Sequence, residues 1–283
     1  MLDGQPSLTF VGTGALPGRF SPGDDGDFHH PPIPRSWSVC LASDAISAAL
    51  IRRLRASSGI SDEDIEAIRT LPIAVKNFAA DQVVARDGAR ATECCLIIEG
   101  FCMRSKTTSH GSRQILSIHI PGEIPDLMGL HLHVMDHDLS TLTAARLGFI
   151  SHEAVRIMHR KRPVVAEMFW RDTLIDAAMF REWIVNVGQR PAPARLAHLI
   201  VELRERLRVI GFVNGATFDM PLTQEQVGEA LGVTSVHANR VIKQLRQDGI
   251  VEFHRGQVTV LDEKKLMELA DFDDRYLHLS PNL

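Results

Sequence analysis

From Ala74 to Ile150 short apolar runs alternate with Gly, Asp and Ser turns: "DQVVARDG", "CCLIIEG", "FCMRSKTTSHG", "RQILSIHIPG" and "TLTAARLGFIS". Runs of this length and spacing predict the strands of a small β-barrel or roll. Over about Val164 to Val187, "VVAEMFWRDTLIDAAMFREWIVNV", the period changes to three and four residues, which predicts one long helix. Its apolar positions cover more than one stripe, so the helix needs two partners. The barrel supplies one. The same helix of a second copy supplies the other, with Phe169, Leu174, Ala178, Met179 and Trp183 as expected contacts. The alternative is a helix buried within one chain. Gly188-Gln189-Arg190-Pro191 then breaks the pattern and predicts a boundary or hinge, because proline biases the residue before it away from helix.

Beyond the hinge, "APARLAHLIVELRERLRVI" starts a new helix and "GFVNGATFDMPL" reads as a loop with a short strand. Two short helical patterns follow in "LTQEQVGEALGVTSVHANRVIKQLRQDGIVEF". Thr223 and Gln226 have capping-box spacing, Gly232 permits a left-handed helix end, and Thr234 caps the second helix. Val227, Leu231, Ala238, Val241, Ile242 and Leu245 take the inward positions. Ser235, Val236, Asn239, Arg240 and Lys243 are left outward. Arg can fork onto guanine, Asn onto adenine, an apolar group can touch a thymine methyl, and Lys can neutralise phosphate. A tight helix-turn-helix places its second helix in the major groove. A hairpin around His254-Arg255-Gly256 follows, and a last helix begins near Asp262. The candidate DNA-contacting set is Thr223, Gln224, Thr234, Ser235, Val236, His237, Asn239, Arg240, Lys243 and Arg255.

The fold class is therefore α+β. A flexible tail over 1–37 precedes a β-barrel domain with flanking helices over 38–163. A dimerisation helix over 164–188 and a winged helix-turn-helix over 189–283 complete it. The tail assignment rests on the Gly, Pro, Asp and Ser of "LPGRFSPGDDGDFHHPPIPRS".

Composition narrows the function. The formal net charge of -4 means that any nucleic-acid surface is a local patch. The four cysteines, Cys40, Cys94, Cys95 and Cys102, form no Cys-x-x-Cys pair, and the last three read as buried strand thiols suited to a reducing cytoplasm. No apolar run approaches the roughly 20 residues of a membrane helix, and no secretory signal is expected.

His131, His133 and His137 in "LHLHVMDH" are the candidate metal or haem ligands, since His131 and His133 would share a face of a strand. They support an alternative function, a cupin-like metal-dependent enzyme, but no downstream strand completes the ligand set. A third reading is a dimer that docks a partner protein through its winged helix. The expectation is a regulator and not an enzyme, with no cofactor and an unknown effector.

The order of barrel, long helix, hinge and winged helix-turn-helix resembles the Crp/Fnr family of bacterial transcription regulators over about residues 40–270. "LTQEQVGEALGVTSVHANRVIKQLRQDGIV" carries the likeness most strongly. The resemblance implies a sensor role for the barrel domain, and a homodimer on a near-palindromic site in double-stranded promoter DNA, contacting RNA polymerase. Arg240 matches a family arginine that reads a base. Ser235 and Val236 stand where members often carry arginine and glutamate, so a different operator is implied. "PGEIPDLMGLHLHVMDHDLSTLTAA" is similar to the family's cyclic AMP segment and makes Gly122, Glu123, Asp126, Leu127, Asp138 and Leu139 the candidate effector pocket. Asp126-Leu127 replaces the ribose-binding Gly-Glu pair, and Asp138-Leu139 replaces the phosphate-binding Arg-Ser pair. Asp138 would repel a phosphate, so the barrel is expected to have lost its nucleotide chemistry. Clustered N-terminal cysteines for an iron-sulfur centre are absent, Cys40 being the one nearby.

Overall fold

The computed structural model describes residues 46–57 and 59–279, so the expected tail over 1–37 and Cys40 lie outside the described residues. Two short helices, α1 (Ala48–Ser57) and α2 (Asp62–Arg69), lead into the barrel. Ser61 caps α2, accepting from the Asp64 backbone N–H and donating its hydroxyl to the Asp64 carboxylate at 2.6 Å. The barrel comprises β1 (Ala74–Phe78), β2 (Val83–Ala85), β3 (Glu93–Glu99), β4 (Cys102–Thr107), β5 (Arg113–His119), β6 (Asp138–Thr141) and β7 (Ala145–Ser151). They form two antiparallel sheets, ordered β1-β7-β3 and β2-β6-β4-β5.

Three apolar clusters hold these elements. Cys95, Ile97, Cys102, Leu139, Ala145 and Leu147 fill the barrel interior. Burial pushes the thiols of Cys94, Cys95 and Cys102 up, which keeps them as apolar packing groups. A second cluster joins α1, α2, β3 and the start of α5 (Pro163–Gln189) through Leu50, Ile65, Leu96 and Phe169. Between barrel and α5 lies a helix the sequence pattern did not reveal, α4 (His152–Lys161), capped by Ser151. The third cluster runs from Phe101, Met103 and Ile115 of the barrel side through Trp183 into the DNA-binding unit, where it includes Leu199, Val227, Leu231, Val241 and Leu245.

The expected break between the two helices is present. Helix α5 ends at Gln189, Arg190 and Pro191 are extended, and α6 (Ala192–Val209) restarts the helix. A third sheet follows in the order β10-β11-β9-β8, from β8 (Val213–Asn214), β9 (Thr217–Asp219), β10 (Val251–His254) and β11 (Gln257–Val260). It flanks α7 (Gln224–Leu231) and α8 (Ser235–Gln247). The chain closes with α9 (Glu263–Ala270), capped by Asp262, and a 3-10 turn at Asp274–Leu277.

Two expectations change. Phe169 lies in the barrel-side core, and Ala178, Met179 and Trp183 are buried against their own chain, so they are not free for a second copy. Only Leu174 of that set is exposed. The exposed stripe of α5 is Trp170, Leu174, Ala177, Arg181, Ile184 and Gly188, whose alternating four- and three-residue steps are those of a coiled-coil seam. His131 and His133 are not on a strand: His131 sits in the short helix α3 (Gly129–Leu132) and His133 ends it in a left-handed conformation. Both are exposed, whereas His137 is buried and bonded to Asp136 at 2.7 Å. No cluster of three or more metal-ligating side chains forms among the described residues.

Candidate nucleic-acid interface

Both halves of the capping box form at α7. Gln226 N–H donates to Thr223 Oγ1 at 3.2 Å, and Thr223 N–H donates to Gln226 Oε1 at 2.9 Å. Gly232 ends α7 at φ 67, a conformation that costs any other residue energy. A Cβ on Gly228 would meet Val233 O at 2.9 Å, so this glycine lets the turn close tightly. Thr234 then caps α8 by accepting from His237 N–H. Ala238, Val241, Ile242 and Leu245 are buried, which fixes the rotation of α8. Ser235, Val236, His237, Arg240 and Lys243 are thereby exposed along the opposite side.

Asn239 departs from this set. It is half-buried, and its amide donates to Gln224 Oε1 at 2.6 Å, tying α8 to the first turn of α7. One of its two N–H groups is thus already committed. The hairpin turn at Arg255-Gly256 joins paired His254 and Gln257, with both turn residues at positive φ. That is the twist a two-residue hairpin needs, and it leaves the Arg255 side chain exposed at the hairpin tip.

The DNA-binding unit is docked on the barrel. Arg113 of β5 makes a bidentate pair with Glu229 of α7 at 2.9 and 2.7 Å. Gln114 donates to the Glu229 carbonyl at 2.6 Å, and Gln226 donates to Asp81 at 3.3 Å. These contacts use the α7 side and leave α8 bare.

The six candidate effector residues are mostly committed to the barrel itself. Gly122 lies so close to α1 that a Cβ would come within 2.6 Å of the Ala49 backbone. Asp126 accepts the Cys95 N–H at 2.7 Å, and burial raises its carboxyl to about 6 despite that bond. Leu127 and Leu139 are core residues, and Asp138 accepts the Asp87 N–H at 2.9 Å. Glu123 is different. Burial opposes its charge, but Arg206 of α6 and His119 outweigh this and hold its carboxyl below the usual range.

Glu123 edges a cavity of about 150 Å³ between the barrel and α5. Three arginines face it, and all are paired: Arg53 with Asp172, Arg104 with Asp176 at 2.7 Å, and Arg206 with Glu123 at 2.8 Å. His119 stays neutral, its pKa lowered to about 4 by burial and by Arg104. The sequence reading missed Arg53, Arg104, Asp172, Asp176 and Arg206. The available signal was a charged residue inside an apolar strand run, as Arg104 is in "FCMRSK".

Two family models match the chain: a cyclic nucleotide-binding domain over residues 75–162 and a Crp-like helix-turn-helix domain over 194–269. The chain belongs to the Crp/Fnr family. Among its relatives is the transcriptional activator protein FnrL of Cereibacter sphaeroides, 25% identical over 202 residues, or 70% of this chain and 81% of that one. The nitrogen fixation regulation protein FixK of Bradyrhizobium diazoefficiens is 23% identical over 198 residues, or 69% and 81%. The solved structure of FixK2 from Bradyrhizobium japonicum superposes with a TM-score of 0.64 at 19% identity, covering 70% of this chain and 98% of that one. A CooA mutant from Carboxydothermus hydrogenoformans gives 0.56 at 16% identity, covering 78% and 95%. As a Crp/Fnr regulator the protein controls transcription, and these relatives give the cupin-like enzyme reading no support. Among the described residues no helix is long and apolar enough to cross a membrane.

Proposed function

We propose that the protein acts in the cytoplasm as a homodimer on a two-fold operator in promoter DNA, where it contacts RNA polymerase. The bare face of α8, with Ser235, Val236, Arg240 and Lys243 exposed over a fully buried inner stripe, carries this reading. Arg240 forks onto a guanine, Val236 covers a thymine methyl, and Lys243 and Arg255 meet phosphate. Thr223, Gln224, Thr234 and His237 flank the groove. Asn239 contributes through its remaining polar atoms or by holding α7 against α8.

The seam of Trp170, Leu174, Ala177, Arg181, Ile184 and Gly188 supports pairing of two α5 helices. Two-fold symmetry then sets the half-sites about 34–36 Å apart, one helical turn. The barrel works as a sensor that does not take cyclic AMP. Its own bonds occupy the positions of the phosphate and ribose chemistry, and every arginine facing the cavity is paired.

Selection of a duplex from randomised DNA by the wild-type chain tests the reading. The selected site should be near-palindromic, and Arg240→Ala should relax preference at one base pair per half-site, by about 1–3 kcal/mol. Uniform loss of affinity with base preferences intact would show that α8 does not read bases.

A further inference from the structure

Beyond α9 the chain does not trail away from the DNA-binding unit. Residues 271–279 turn back across the joint between α5 and α6, and the 3-10 turn packs on α5. Tyr276, the sole tyrosine of the chain, stacks on His198 of α6 with ring centres 5.8 Å apart. Phe272 meets the same imidazole at 5.2 Å. The Tyr276 hydroxyl donates to Glu202 Oε2 at 2.9 Å, and that oxygen also accepts from Trp183 Nε1 of α5 at 3.1 Å. Two arginines of α5 and the hinge reach the segment's backbone: Arg171 donates to His278 O and Arg190 to Asp271 O. Leu277 is buried. Leu277, His278 and Leu279 also border a small cavity whose other walls include Arg53, Glu123, Asp172 and Arg206.

The joint beneath is crossed by side chains and not by continuous helix: Trp183 donates to Glu202, and Glu182 pairs with Arg190 at 2.7 Å and lies 3.4 Å from His198. Arg190 and Pro191 are extended, with no helical bond across them. Both side-chain polar atoms of Asn186, together with His198 Nδ1 and Arg190 Nε, are buried without a partner among the described residues. Such atoms cost free energy and weaken the arrangement that buries them. The segment offsets this by bonding to α5 and α6 together.

We propose that residues 271–279 are a strap that fixes the angle of the DNA-binding unit on α5, and that this fixed angle lets two copies engage both half-sites at once. The inference rests on the dimeric operator reading above. A dimer with loose joints meets one half-site as before but loses effective concentration at the second. Tyr276 is a positioning residue, remote from the DNA-facing side of α8.

The test uses full-length protein and two probes: the near-palindromic duplex selected by the wild-type chain, and the same duplex with one half scrambled. Tyr276→Ala should raise Kd for the intact site about tenfold or more, within the usual span of coupling energies. Affinity for the half-site should stay within about twofold, below the smallest usual coupling factor. Tyr276→Phe, which removes one oxygen and keeps the stack, should show a smaller loss in the same pattern. Hydrogen exchange should quicken over 183–200 in Tyr276→Ala and stay unchanged in the barrel strands. A chain ending at Ala270 should behave as Tyr276→Ala; if it fails to fold, the two point variants decide.

Equal losses on both probes, tighter binding, or unchanged intact-site affinity in Tyr276→Ala would each overturn the strap. A wild-type chain that bound both probes alike would instead overturn the dimeric reading, and the strap with it.

Discussion

Replacing Ile184 with Asp should dissociate the dimer without harming the fold. Ile184 is 72% exposed in the single chain and sits near one end of the α5 seam. Full burial of such a side chain is worth about 1.5–3 kcal/mol, so covering the exposed part yields about 1.5 kcal/mol per copy. Two-fold symmetry counts each substitution twice, which gives about 3 kcal/mol for the pair. That is about a hundredfold in the dimer dissociation constant. Two carboxylates taken out of water at the seam push the same way. Sedimentation equilibrium over a wide concentration range gives the constant, and thermal unfolding gives the fold. Met179 is the contrast, since it is buried against its own chain. Met179→Ala should cost about 2–5 kcal/mol of folding stability and leave dimerisation nearly intact. An unchanged dimer constant in Ile184→Asp, or a dimer lost in Met179→Ala at unchanged stability, would refute the assignment of the seam.

Lys243→Ala should weaken binding to every duplex alike and lower the salt slope by about one unit per subunit, read from titrations at several salt concentrations. Asp126 is held near pKa about 6 by burial, above its unfolded value, so its contribution to stability is full below about pH 4 and is lost as pH rises through 6. Asp126→Asn should therefore gain thermal stability over the wild type above pH 6, the gap closing toward pH 4; a gap independent of pH would contradict this. Titration calorimetry with cyclic AMP should show no saturable micromolar binding, and binding that also tightened operator affinity would overturn the reading of the barrel.

What the sequence revealed follows how local each signal is. The helix-turn-helix was legible because Thr223, Gln226, Gly232 and Thr234 act within four residues of their partners. The thiol strands and the hinge at Pro191 were legible for the same reason. Strand β6 was hidden because its apolar content is slight: Asp138-Leu139-Ser140-Thr141 is mostly polar. On α5 the two stripes were visible, but periodicity does not say which faces inward. The inner one is claimed by its own chain: Trp183 joins the core shared with α6, and Met179 is buried beside the cavity that Glu123 edges. The paired arginines were out of reach, since Arg53 and Asp172 stand 119 residues apart and Arg104 and Asp176 stand 72 apart. The histidine cluster failed because "LHLH" has strand alternation but lies on one short helical turn, where His131 and His133 diverge.

The largest apolar cluster does not respect the border between the barrel and the DNA-binding unit. Phe101, Met103 and Ile115 on one side and Val227, Leu231 and Leu245 on the other belong to one contiguous core. Cutting the chain at the hinge would leave part of that core facing water on each fragment. The two units are therefore thermodynamic partners and not modules on a tether. The shared core predicts that they melt together in thermal unfolding and that a change of packing at Phe101, Met103 or Ile115 shifts the stability of the DNA-binding unit. A regulator assembled this way needs no long mechanical relay: the barrel wall is also the floor on which the DNA-binding unit stands.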